Sequence, residues 1–192
     1  IERLQKAAEG AAMGTGTTVE FEPTGGVYSL LPNDTLGQVM QAALQQVGGV
    51  QYDPAEQAFA KKLQESLEKR PDLQAATQLQ PYRADQAGGA STDVGDVSWN
   101  VPTVGVSTAT WVPGTPAHSW QAVAASGMSI GAKGALNAAK IMALAGVQLL
   151  QSPELVAKAK QEFDERRGAG FRYVPLLQRD APPLDYRRKT KD

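Results

Sequence analysis

Cysteine is absent from the 192 residues and histidine occurs once, at His118. The first absence excludes disulfides and thiolate chemistry within the chain, without fixing a redox compartment. The second removes the usual spacing of a zinc site, which needs three or four protein ligands. Charge of one sign is also missing. Nineteen Lys and Arg stand against 20 Asp and Glu, a net charge of −1, so the basic excess that marks nucleic-acid binders is not there. No apolar run approaches the roughly 18–20 residues of a membrane span, and the opening "IERLQKAAEG" is charged and helix-like rather than a secretory leader. A soluble, cytoplasmic protein with no nucleic-acid or membrane partner is the expectation. The chain begins at Ile1 rather than Met, which suggests a piece of something longer.

What is present has punctuation. Ile1, Leu4, Ala8, Ala11 and Ala12 share a helical face, stopped by Gly14 and Gly16,. "TTVEFEP" alternates as a half-buried strand does, with Val19 and Phe21 inward and Glu20 and Glu22 outward,. A second helix starts behind Asn33 and Asp34, carries Leu36, Val39, Met40, Ala43, Leu44 and Val47, and ends at Gly48-Gly49,. A third opens at "DPAE": Asp53 can cap, Pro54 suits the first turn, and Glu56 holds the capping-box position,. Its apolar stripe is Phe59, Leu63 and Leu67, up to Pro71. Residues 71–90, rich in Gln, Ala and Gly, read as a loop or linker,.

The β-branched and aromatic content of residues 96–110 predicts a short strand, a break at Pro102, then a strand near Val104–Thr110,. A long helix follows over about Met128–Leu150, and Ser152-Pro153 starts another to about Arg167. The tail "APPLDYRRKTKD" reads as a solvated end. Helices alternating with strands predict an α/β architecture, helices packed on a sheet.

Three clusters could carry chemistry, and each has a plainer account. His118 lies in "VPGTPAHSW" between a predicted strand and a helix, where binding loops collect in α/β proteins,; a lone imidazole satisfied by a backbone carbonyl is the ordinary alternative. Asp93 and Asp96 in "GGASTDVGDVSW" could join acid/base or metal chemistry, or form Asx turns leading into a strand,. Gly127, Gly131, Gly134 and Gly146 thin the long helix. Close packing is the usual compensation for glycine in a helix, which costs about 1 kcal/mol. "GTGT" at Gly14 lacks the Lys-Ser/Thr of a phosphate loop,.

Taken together, "STDVGDVSWNVPTVGVSTATWVPGTPAHSWQAVAASGMSIGAKGALNAAKIMA" resembles the C-terminal catalytic region of the M20 metallo-amidohydrolases and peptidases, nearest to the branch that hydrolyses p-aminobenzoyl-glutamate. "AAEGAAMGTGTTVEFEPTGGVYSLLPN" is similar to that family's exit from its small lid domain. The resemblance covers most of the chain and is weakest over about residues 71–87 and the tail.

It implies a fold: the C-terminal part of a zinc-peptidase-like three-layer α/β catalytic domain over residues 34–192. Residues 1–33 would be a helix–strand remnant of an α+β lid and dimerisation domain. It also implies that His118 is one metal ligand of a centre holding two zinc or manganese ions. Gly114 and Thr115 would line the substrate pocket, and Asp93 and Asp96 would be supporting or structural residues near the site. The remaining ligands and the catalytic glutamate belong, in the family, to a segment before Ile1. The intact enzyme would then cleave the amide of p-aminobenzoyl-glutamate or related N-acyl amino acids and dipeptides, as a homodimer or with a companion subunit. This chain alone would be inactive and hold no ion tightly. One departure stands out: many relatives carry an acidic residue soon after the histidine, where this chain reads "HSWQAVAASGMS". A non-catalytic binding or assembly module that keeps the fold is the alternative.

Overall fold

The computed structural model describes residues 1–84 and 91–177; Gly88, Gly89 and the tail "APPLDYRRKTKD" lie outside them. Among the described residues seven α-helices run α1 (Glu2–Thr15), α2 (Asp34–Val47), α3 (Pro54–Gln64), α4 (Val94–Ser98), α5 (Trp120–Ser126), α6 (Ser129–Gln151) and α7 (Pro153–Arg167), with a 3-10 turn at Leu73–Ala76. No helix among these residues is long and apolar enough to cross a membrane. Nor do they contain a β-strand. The expected three-layer α/β arrangement, and the helix–strand reading of residues 1–33, are therefore corrected: this is a helical structure.

The correction has a local cause in each segment. Residues 96–98, expected to begin a strand, lie instead in α4, where Ser98 is fully buried, its Oγ donating to Gly95 O (2.5 Å) and accepting from Leu31 N–H (2.8 Å). A hydroxyl bonded three residues back closes a helical turn that β-branched neighbours alone would disfavour. Val19 and Phe21 are not inward: they are 37% and 42% exposed. Residues 103–109 carry side chains of alternating exposure, with Val104, Val106 and Thr108 half-buried between exposed Gly105 and Ser107. A strand is defined by a ladder as well as by alternation, and this segment has no backbone partner from another segment among the described residues.

The helical assignments stand. Asn33 caps α2 by accepting from Leu36 N–H (3.0 Å), while its amide donates to Ala159 O (2.9 Å), so one side chain both starts α2 and docks it on α7,. Asp53 and Glu56 form the capping box of α3, with Pro54 in the first turn,. Helix α6 packs on α2, α5 and α7. Two apolar clusters result. Ala60, Leu63, Val112, Ala125 and Ile130 form one; Val39, Ala43, Ile141 and Ala145 form the other, with Val106 against it. Gly134 lets α6 come down on the chain at Ala109, where an added Cβ would lie 2.6 Å from the Ala109 carbonyl oxygen. Close packing is thus the role of that glycine, whereas nothing lies within 4 Å of a Cβ at Gly146.

Two carboxylates fasten the helices. Glu56, 4% exposed, accepts from Asp53 N–H (2.8 Å), Ser129 Oγ (2.6 Å) and Lys133 Nζ (2.5 Å), tying α3 to the start of α6. Glu162 accepts from Asp34 N–H (2.6 Å), Thr35 N–H (2.8 Å) and Thr35 Oγ1 (2.7 Å), and pairs with Arg166 (3.0 Å), tying α7 to the first turn of α2. In both, burial pushes the carboxyl pKa up, but the bonds to the ionised form outweigh it and hold the group below its usual range,.

A carboxyl whose folded pKa is depressed stabilises the fold fully above its unfolded value of about 4.3, and loses that contribution as pH falls through the folded value. The melting temperature should therefore drop on acidification below about pH 4, and drop less steeply in Glu162→Gln, as thermal melts across pH 2–7 on both proteins would show. Glu56→Ala, which removes the capping box and strands three donors, should cost on the order of 2 kcal/mol by urea unfolding.

Candidate functional site

The loop from Val112 to Ser119 is built from both ends. Val112, 1% exposed, anchors its start in the first apolar cluster. Gly114 follows with φ +92°, and a Cβ there would lie 2.3 Å from the Lys69 carbonyl oxygen. Glycine is thus required by backbone conformation and by close approach together. At the far end Ser119 Oγ donates to Pro116 O (2.8 Å) and accepts from Ala122 N–H (3.2 Å), capping α5. Neither this cap nor the separate helix it starts is among the elements expected from sequence. Ser119 followed by "WQAVAAS" and Gly127 is a legible start and stop, hidden beside the longer periodic stretch behind it.

Between these anchors stands His118, solvent-exposed and, among the described residues, the one non-glycine position with positive φ, at 57°. The left-handed region costs an ordinary L-residue about 1–2 kcal/mol, and such positions cluster where a side chain is aimed for a purpose. The imidazole borders an open, mostly apolar depression of about 710 Å³ that it shares with Trp111, Trp120, Val123 and Ser126. Trp111 Nε1–H donates to Ser126 Oγ (2.8 Å), and Tyr52 OH donates to Trp111 O (3.2 Å). Burial, with the charge of Glu56 behind it, pushes the Tyr52 phenol up to about 12, so it remains a protonated donor. Trp120 and Val123 are 62% and 74% exposed, a large apolar surface to leave in water. Neither indole stands out in the sequence, because aromatic residues near a helix start read first as core.

The remaining residues implied by the resemblance have other surroundings. Thr115 Oγ1 is buried and has no hydrogen-bond partner among the described residues. Asp96 lies in α4, its Oδ2 accepting from Tyr28 N–H (3.2 Å) and its Oδ1 from Tyr173 OH (2.8 Å). Around it Tyr28, Trp99, Phe171 and Tyr173 stack, with Trp99 and Phe171 centroids 4.5 Å apart. Both oxygens are thus used to fasten residues 171–177 to residues 27–31. Asp93 is exposed and makes no cap bond to the α4 backbone. Neither aspartate lines the His118 depression. Among the described residues no three His, Cys, Asp or Glu side chains are grouped to hold an ion. The donor set here, one exposed imidazole, does not fit a metal centre by itself.

No family model matches the chain, and no solved structure does. Among curated proteins it is similar to a p-aminobenzoyl-glutamate hydrolase subunit of Escherichia coli (strain K12), 35% identical over 189 residues that make up 85% of this chain and 39% of that relative. The chain thus spans well under half the length of the relative it matches. The resemblance drawn from the motifs around Asp93–Ala143 and Ala7–Asn33 is borne out by this match.

Because the imidazole is exposed and its backbone strained, His118→Gly should stabilise the chain by about 0.5–1 kcal/mol in urea unfolding; destabilisation would show that the loop is not strained there. Asp96→Ala should cost about 1–3 kcal/mol through its two stranded donors, against less than about 0.5 kcal/mol for Asp93→Ala.

Proposed function

We propose that the chain is a portion of an M20-type amidohydrolase that cleaves p-aminobenzoyl-glutamate or a related N-acyl amino acid or dipeptide, and that His118 is its contribution to a divalent-metal centre. The match to a protein named as that hydrolase carries the reading. The exposed, conformationally strained imidazole beside an open apolar depression supports the position of the site. Zinc or manganese is the expected metal, and its Lewis acidity would polarise the scissile carbonyl. This chain cannot complete such a centre, so no reaction step is assigned to residues here beyond ligation by His118. Gly114 shapes the loop that carries the histidine, and Thr115 Oγ1, buried without a partner, is the nearest polar group left over for a substrate. Asp96 has a structural role. The relative's name describes it as one of the hydrolase's subunits, and we propose a companion subunit or a second copy for this protein also.

A second reading has an observation of its own. Because the described residues group no three ligating side chains, a non-catalytic module that binds or assembles would look the same. Titration calorimetry of the 192-residue chain with zinc should give no stoichiometric tight binding. The same residues joined to the portion of the E. coli relative that they do not cover should release p-aminobenzoate and glutamate with zinc or manganese present, and His118→Ala should lower that rate at least about 100-fold. Absence of metal-dependent hydrolysis in the joined protein would favour the module.

A further inference from the structure

Helix α6 is apolar on two faces. Ile130, Gly134, Ile141 and Ala145 are buried. On the other side, at the same helical spacing, Leu136 (56% exposed), Ala139, Ala143, Val147 (46%) and Leu150 (86%) meet water, with Lys140 the charge among them. A helix apolar all round belongs to an interior, and monomeric proteins rarely leave a contiguous stripe of this kind uncovered.

A second surface is unsatisfied in a different way. Apart from Thr108 O, which accepts from Thr110 N–H, no backbone group of residues 103–109 bonds another backbone group among the described residues. Thr108 Oγ1 is turned to Gly134 O (2.8 Å) instead. This row of free donors and acceptors forms one wall of a groove of about 500 Å³ floored by Met40 and Leu44 of α2. Backbone groups are nearly always paired in a finished fold, and an extended row of them is a template for a strand from another polypeptide.

We propose that both surfaces are covered by one occupant: a polypeptide portion equivalent to the part of the E. coli relative outside the match. Its extended segment would pair backbone to backbone with residues 103–109, placing alternate apolar side chains over Met40 and Leu44, and its apolar surface would seal the outer face of α6. Extent argues for this occupant over a second copy. The chain covers 39% of the relative, so most of that polypeptide has no counterpart here, and a piece of that size has the area to cover two separate surfaces. The inference rests on the proposed relationship to a longer hydrolase, but not on any reaction.

The test mixes the 192-residue chain with the portions of the E. coli relative outside the match, produced as a separate polypeptide, and follows amide hydrogen exchange and sedimentation. Alone, the amides of residues 103–109 should exchange near the open-chain rate while those at 141–145 are protected; in the mixture a complex should form and slow the former at least about tenfold. Leu136→Glu combined with Val147→Glu should abolish the complex with less than about 2 °C change in the melting temperature of the chain alone. No complex, a complex that leaves 103–109 exchanging freely, or a homodimer that protects them would each overturn the proposal. A protected complex without hydrolase activity would sustain it while removing the hydrolase reading; hydrolysis with 103–109 unprotected would do the reverse.

Discussion

Helix α6 is the constraint on which the rest depends, because it is common to both apolar clusters. Ile130 at its first turn closes the cluster made with α3 and α5, and Ile141 and Ala145, further along, close the one made with α2. Burying a side chain of this size contributes about 1.5–3 kcal/mol, and two such anchors on one rigid rod set the spacing between the clusters. The polar fastenings then act at the periphery: Glu56 holds α3 to the first turn of α6, and Glu162 holds α7 to α2. Neither carboxylate could form its bonds if α6 did not already hold those helices in place.

The same helix positions the candidate site. Gly134 admits the Ala109 carbonyl, so the chain at 104–112 is pinned along α6 before it turns into the His118 loop. Val112 is locked in the core at one end of that loop and Ser119 caps α5 at the other. The short span between these fixed points, narrowed by a glycine that must approach Lys69, leaves His118 in the left-handed region and facing solvent. Strain at that residue follows from anchoring on both sides.

Much of the helical layout was legible because it rests on local chemistry. Asn33, the Asp53–Pro54–Glu56 set and the Ser152-Pro153 step each act within one turn of backbone, and α2, α3 and α7 begin where those residues stand. His118 could be singled out because it is the lone imidazole in a Pro/Gly loop. The strands were not legible in the same way. Val104, Val106 and Thr108 alternate as strand residues do, but alternation is a property of one segment and a ladder is a property of two. The aspartates failed for a related reason. Asp93 and Asp96 look equivalent in sequence, yet Tyr173, 77 residues away, makes one of them a structural acceptor.

Sequence alone determined the caps, breaks and helix periods, the absence of thiol chemistry, and the motif set that leads to the hydrolase relative, since each depends on residue identity within short range. Tertiary structure decided which face of α6 is buried, that Asp96 is consumed by Tyr28 and Tyr173, and that the described residues contain no strand. Those outcomes depend on what stands opposite a residue in space, and a one-dimensional pattern carries no record of its partner.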